Sequence, residues 1–264
     1  MLIAFCDGIG TAQLTDDDGR SILQHVVRPL AAKTGARPVR IEWPASMAGI
    51  GGHTSWAAAA HTGVLHLDQL LADDPGERVI LLGYSGGCRV VHDWLHSRPA
   101  QRHRVAAVGL MSDPYRPFGR SQHGTRQLDG WGVCGQRLGP LPGKTLWTSA
   151  ARDVISDAPA DSPWRTVADL SDKIPGGFMT DLVGHLKQGD WQLATKMGLW
   201  RRDPLAYLRG LGTRMDRARR DGEGYLFGGL HTTAYTRPHH TPDGKTDSLA
   251  HRLAASLAWM VNPR

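Results

Sequence analysis

The sequence predicts an α/β protein, a parallel sheet with helices on both faces, and three observations carry that prediction. Apolar runs of strand length alternate with longer runs at helical spacing, the order that builds strand-helix-strand units. One such junction, Val79-Ile-Leu-Leu-Gly-Tyr-Ser-Gly-Gly-Cys88, passes from an apolar strand through a glycine-rich turn into Arg89–Leu95, whose apolar positions recur at helical spacing. The 264 residues, 41% hydrophobic and 21% charged, fit one large globular domain with an elaboration.

Taken in order, Leu2–Cys6 is a short apolar strand that ends in Asp7-Gly8-Ile9-Gly10-Thr11. Ser21–Ala32 places Ile22, Leu23, Val26, Val27 and Leu30 on one side of a helix. Val39–Trp43 alternates and stops at Pro44, which suits a strand near the sheet edge. Met47–Thr54 is glycine-rich and can border a site, and Trp56–Leu71 is a long helical run closed by Asp73-Asp74-Pro75-Gly76. Val105–Met111 and Gly143–Trp147 are further strands. From Ser162, a helix N-cap with Pro163 in the first turn, the chain turns helical: Phe178–Gly189, Trp191–Leu199 and Pro204–Arg220 carry apolar stripes. The chain thus divides into a core, 1–158 and 222–264, and a helical insertion over 159–221 that acts as a lid or substrate platform. A last helix, Thr246–Met260, packs Leu249, Leu253, Leu257 and Met260 back onto the sheet.

Composition excludes several classes. No stretch approaches the roughly 18 apolar residues of a membrane span, so no integral membrane association is expected. Leu2–Cys6 reads as a core strand rather than a signal peptide. The formal charge is +6, but the arginines are scattered apart from Arg214, Arg217, Arg219 and Arg220. No nucleic-acid partner is expected, and that patch reads as a solvated helix face or a weak attraction for anionic wall polymers. Cys6, Cys88 and Cys134 lack metal-ligand spacing; Cys6 and Cys88 read as buried small apolar residues. No metal, organic cofactor or protein partner is implied.

The turn after Val79–Leu82 has the Gly-x-Ser-x-Gly pattern of a nucleophile elbow, in which Gly83 and Gly87 make room for a strained serine, Ser85, lifted clear of the sheet. Such a serine needs a base to take its proton and an acid to orient that base, in the chain order Ser, Asp, His. Asp153 stands just after the Gly143–Trp147 strand. Asp157, four residues on, and Asp113, after the preceding strand, are alternatives that also read as caps or loop charges. Thirteen histidines compete for the base. His92 and His96 sit in the helix after the elbow and point away from the serine, and His25, His61 and His66 sit on surface helices. His231, His239 and His240 are expected in a post-strand loop near the end of the chain. His231 is preferred because it follows the apolar Tyr225–Leu230 run; His240 is the alternative, in a solvent-facing turn between Pro238 and Pro242. The backbone N–H groups of Gly86 and of Ile9 or Gly10 are the expected oxyanion donors.

These motifs resemble those of the lysin B esterases of mycobacteriophages, relatives of cutinases. The likeness rests on Gly83–Gly87, on Gly109-Leu-Met-Ser-Asp-Pro-Tyr-Arg116, on Gly130-Trp-Gly132, on Asp153–Arg165, and on a helical insertion followed by His231-x-x-x-Tyr235. The resemblance implies a cutinase-like α/β-hydrolase fold with Ser85 as nucleophile, Asp153 as acid and His231 as base. It also implies hydrolysis of the ester between mycolic acids and arabinogalactan by an endolysin, made in the host cytoplasm and acting at the host wall after release. The apolar stripes of 178–220 and Trp164, Trp191 and Trp200 are candidates for an acyl trough. Gly86 stands where many members carry Gln, and the wall-binding module of some members has no counterpart here. A Phe-x-Asp-Gly start, shared with a phospholipase-containing group, supports another lipid ester as the alternative substrate. A non-catalytic binding protein on the same scaffold is the rival from another class.

Overall fold

A computed structural model of the protein describes residues 1–14, 20–47, 49–121, 128–139, 141–165, 168, 211–240 and 244–262. Among these, the apolar runs form a five-stranded parallel sheet from β1 (Leu2–Cys6), β2 (Arg37–Arg40), β3 (Val79–Tyr84), β4 (Val105–Met111) and β5 (Thr145–Thr148), in the spatial order β2-β1-β3-β4-β5. The strands that read as most apolar, β1, β3 and β4, are the three inner ones and are wholly buried, as parallel strands covered on both faces must be.

Alternation along the strands sorts the core into two layers. Leu2, Ala4, Val79 and Leu81 face α2 (Trp56–Asp73) and α3 (Cys88–Ser97), and Ile3, Phe5, Ile80 and Leu82 face α1 (Gln24–Thr34) and the terminal helix. Cys6 and Cys88 are buried in the first layer. The edge position expected for the second strand holds, but β2 lies two residues earlier. The ladder starts where Arg37 N–H reaches Met1 O (3.0 Å), and the chain turns inward after Ile41 so that Trp43 can be buried.

Past β5, Trp164 and Arg165 are helical, and α4 (Leu211–Leu226) runs unbroken across the expected boundary at 221. The expected helices Phe178–Gly189 and Trp191–Leu199, and most of 159–221, lie outside the described residues. A one-turn helix α5 (Thr233–Thr236) is followed by a small antiparallel pair, β6 (His239–His240) with β7 (Thr246–Asp247). The last helix, α6 (Leu249–Val261), starts three residues later than expected because Thr246 and Asp247 pair with β6 and Ser248 caps it, accepting from His251 N–H at 3.1 Å. No described helix is long and apolar enough to cross a membrane.

Helix α6 lies close on β4: a Cβ at Gly109 would stand 2.9 Å from Leu257 and 3.5 Å from Leu253. Leu253 is fully buried. Leu253→Ala is therefore expected to cost about 2–5 kcal/mol of stability, read as a lowered midpoint in urea unfolding.

Candidate active site

Ser85 follows β3 directly and has φ +52°, the left-handed region that L side chains avoid at a cost of about 1–3 kcal/mol. Two glycines permit this bend. A Cβ at Gly83 would stand 2.8 Å from Cys88 Cα, and one at Gly87 would lie 2.3 Å from the carbonyl oxygen of Cys6, so the elbow touches β1 backbone to backbone.

The loop after β1 is held against this elbow by Asp7, which is buried. Its carboxylate accepts from Ser21 Oγ (2.9 and 2.8 Å) and pairs with Arg40, and its carbonyl accepts from Trp43 Nε1 at 3.2 Å. Gly10 N–H is spent on Ala45 O at 2.7 Å, so Gly10 is not the free donor the sequence allowed. Ile9 is: its N–H has no acceptor among the described residues and lies 3.5 Å from the position a Gly86 Cβ would take. The Gly86 N–H sits in the short 3₁₀ turn that opens α3, among the first amides of a helix, which lack intrahelical acceptors.

Across the elbow, His231 Nε2 is 2.8 Å from Ser85 Oγ, and His231 Nδ1 is 3.1 and 3.2 Å from the two oxygens of Asp153. With the carboxylate facing Nδ1, the tautomer that suits these partners carries its proton there and leaves Nε2 to accept. The structure thus brings together the three side chains favoured from the sequence. His231 follows no strand, however. The apolar Tyr225–Leu230 run is split between the last turn of α4 and a turn closed by Leu230 N–H on Gly224 O (3.1 Å), with Gly229 at φ +67°. The Tyr84 and Tyr225 rings flank the imidazole at 5.2 and 4.8 Å, and the Tyr84 hydroxyl donates to His231 O.

The alternatives are placed elsewhere. Asp157 staples the acid loop, accepting from Gly130 N–H (2.8 Å) and Arg152 N–H (2.9 Å) and pairing with Arg116 at 3.5 Å. Asp113 accepts from Trp147 Nε1 (3.0 Å) and meets His92 Nε2 at 2.9 Å in the other layer. His240 is exposed beside Thr246 Oγ1, and its neighbour His239 is exposed too.

Three residues that the sequence motifs contain, but to which the sequence assigned no role, contribute to the site. Ser112 Oγ donates to Asp153 Oδ2 and lies 3.0 Å from His231 Nδ1; Tyr235 Oη donates to the same Asp153 oxygen at 2.5 Å. Buried Arg116 donates to Ser156 O (2.7 Å) and Gly130 O, fixing the acid loop to its neighbour. The signals available were the place of Ser112 at the carboxyl end of the strand beside the elbow strand and of Tyr235 one turn after His231. Of the two serines touching His231, Ser85 lines the adjoining cavity, while Ser112 is fully buried and does not. Burial alone would raise the Asp153 carboxyl, but the attraction of His231 and hydrogen bonds from His231, Ser112 and Tyr235 outweigh it and hold it below its ordinary value. Burial, with the Asp153 charge, pushes the phenols of Tyr84 and Tyr235 well up and that of Tyr225 to about 12, so all three are neutral near pH 7.

Ser85 and His231 open onto a cavity of about 350 Å³ with mainly apolar walls, among them Ile22, Met47, Ile50, Val154, Ile155 and Trp164. A family model described as Cutinase matches residues 12–174. The chain belongs to the cutinase family. Lysin B from Mycobacteriophage D29 is 17% identical, with TM-score 0.50 over 85% of this chain and 90% of that one. A cutinase-like protein from Cryptococcus sp. is 16% identical, with TM-score 0.43 over 72% and 93%. An acetyl xylan esterase is 18% identical, with TM-score 0.44 over 69% and 96%. No curated protein sequence matches the chain. As a member of the cutinase family, a family of serine esterases, the chain has a parallel sheet of the α/β-hydrolase kind.

The lowered Asp153 carboxyl fixes a pH dependence. On acidification the unfolded chain protonates this group near its ordinary value of about 3.9, while the folded protein keeps it ionised. Its contribution is complete above that value and is lost as pH falls through the lower folded one. Unfolding free energy measured from pH 6 down to pH 2 is expected to fall more steeply in the wild type than in Asp153→Asn.

Proposed function

We propose that the chain is a serine esterase that hydrolyses the ester joining mycolic acids to arabinogalactan, a lysin B-type endolysin made in the host cytoplasm and acting at the host wall. The observation that carries the esterase reading is the Ser85–His231–Asp153 relay at the floor of an apolar cavity. His231 Nε2 takes the Ser85 proton as Oγ bonds to the ester carbonyl carbon. The carbonyl oxygen becomes an oxyanion, held by the N–H groups of Gly86 and Ile9. When the tetrahedral intermediate collapses, the bond to the sugar oxygen breaks and His231 returns its proton to that leaving hydroxyl. Water, deprotonated by His231, then releases the free acid and restores Ser85. The neutral phenol rings of Tyr84 and Tyr225 close to the imidazole favour the imidazolium formed on the way.

The finer reading is supported by the fold likeness to lysin B over most of both chains and by the cavity walls. An acyl chain entering between Met47, Ile50, Val154 and Trp164 gains about 0.8 kcal/mol per buried methylene. Of the other tryptophans considered for the trough, Trp191 and Trp200 lie outside the described residues.

Ser85→Ala is expected to lower turnover of a p-nitrophenyl ester by roughly 10³-fold or more with an unchanged circular-dichroism spectrum. Undiminished turnover would refute the nucleophile, and failure of a fluorophosphonate to label Ser85 would favour a binding protein. Isolated mycobacterial wall should yield free mycolate with the wild type and none with Ser85→Ala. Cleavage of phospholipid vesicles without mycolate release would move the substrate to another lipid ester.

A further inference from the structure

Ser112 directly follows β4 in a place that a side chain occupies only under strain. Its φ is +52°, a conformation glycine adopts freely, and the residue is fully buried. What distinguishes it from a glycine is the hydroxyl, and that hydroxyl has two partners: it donates to Asp153 Oδ2, and its oxygen lies 3.0 Å from His231 Nδ1. Tyr235 and Ser156 also donate to Asp153, but among the described residues only Ser112 reaches both the carboxylate and the imidazole.

We propose that Ser112 is a positioning residue that fixes the plane of the His231 ring and stabilises its protonated form during ester hydrolysis, a role that rests on the Ser85–His231–Asp153 reading above. With its proton turned to Asp153, the Ser112 oxygen presents a lone pair to the Nδ1–H of His231. The two carboxylate oxygens stand almost equally far from Nδ1, at 3.1 and 3.2 Å, and the Ser112 oxygen at 3.0 Å adds a third contact that narrows the ring's orientation beyond what the flanking phenols impose. The platform is rigid, because Ser112 N–H donates to Thr148 O at 2.9 Å and the next side chain, Asp113, is tied to His92 in the opposite layer. Ser112 takes no part in lining the cavity, so its effect falls on the chemical step and not on ester binding.

The test compares wild type, Ser112→Gly, Ser112→Ala and Ser85→Ala on a p-nitrophenyl ester, with active sites counted by fluorophosphonate titration so that unfolded protein is not scored as lost turnover. Both Ser112 variants should lose roughly tenfold to hundredfold in kcat per titrated site with KM within about twofold of wild type. Ser112→Gly, freed of the strain, should unfold at a urea midpoint no lower than that of Ser112→Ala. Wild-type kcat in Ser112→Gly, or a loss confined to KM, overturns the positioning role. Continued turnover by Ser85→Ala overturns instead the triad on which it rests.

Discussion

Asp153 is fully buried and held in its ionised form, and a carboxylate removed from water costs several kcal/mol unless other donors replace the lost hydration. The architecture around it is arranged to supply them. One oxygen receives Ser112, Tyr235 and Ser156 hydroxyls, the other receives the Ile155 N–H, and the histidine ring reaches both. Charge at this point gives His231 a fixed tautomer, and the tautomer gives Ser85 a base. Arg116 and Asp157 make no contact with the imidazole, yet they determine where the carboxylate stands by tying the acid loop to the segments around residues 116 and 130.

The opposite wall depends on backbone proximity instead. The elbow can touch β1 because Gly87 has no side chain, and the loop beyond β1 is held by one buried carboxylate, Asp7, rather than by regular structure. Strain gathers where these two walls meet. Among the described residues, four non-glycine positions have positive φ, and Ser85, Ser112 and Arg152 are, or directly adjoin, members of the Ser–His–Asp relay. Such conformations persist only where neighbouring contacts hold them.

The parts of this arrangement that were legible in the sequence are those whose signals are local. The strand-turn-helix around Ser85 is continuous, β4 appears with the expected bounds, and Asp153 was found by its place after a late strand. Boundaries that depend on long-range pairing moved: β2 is set by its ladder with β1, and α6 starts where β7 releases the chain. The choice between Ile9 and Gly10 rested on a bond to Ala45, which no local pattern announces. Ser112, Tyr235 and Arg116 were missed for the same reason, since their decisive contacts close across 119, 82 and 40 residues. The run before His231 misled because its residues belong to a helix end and a turn, and Phe227 is exposed rather than packed as a strand residue would be.

Ser112 and Asp113 are consecutive, yet one addresses the layer containing His231 and the other the layer containing His92. The end of β4 is therefore bolted from above and below by polar contacts with two different aspartate–histidine pairs. A shift of this strand tip by one residue would exchange the two faces, turning the Asp113 carboxylate toward Asp153 and leaving His92 without its aspartate. Any drift of the junction toward a second register thus meets opposition from both layers at once, and the fidelity of the imidazole's placement is secured by a residue pair whose other half never approaches the ester.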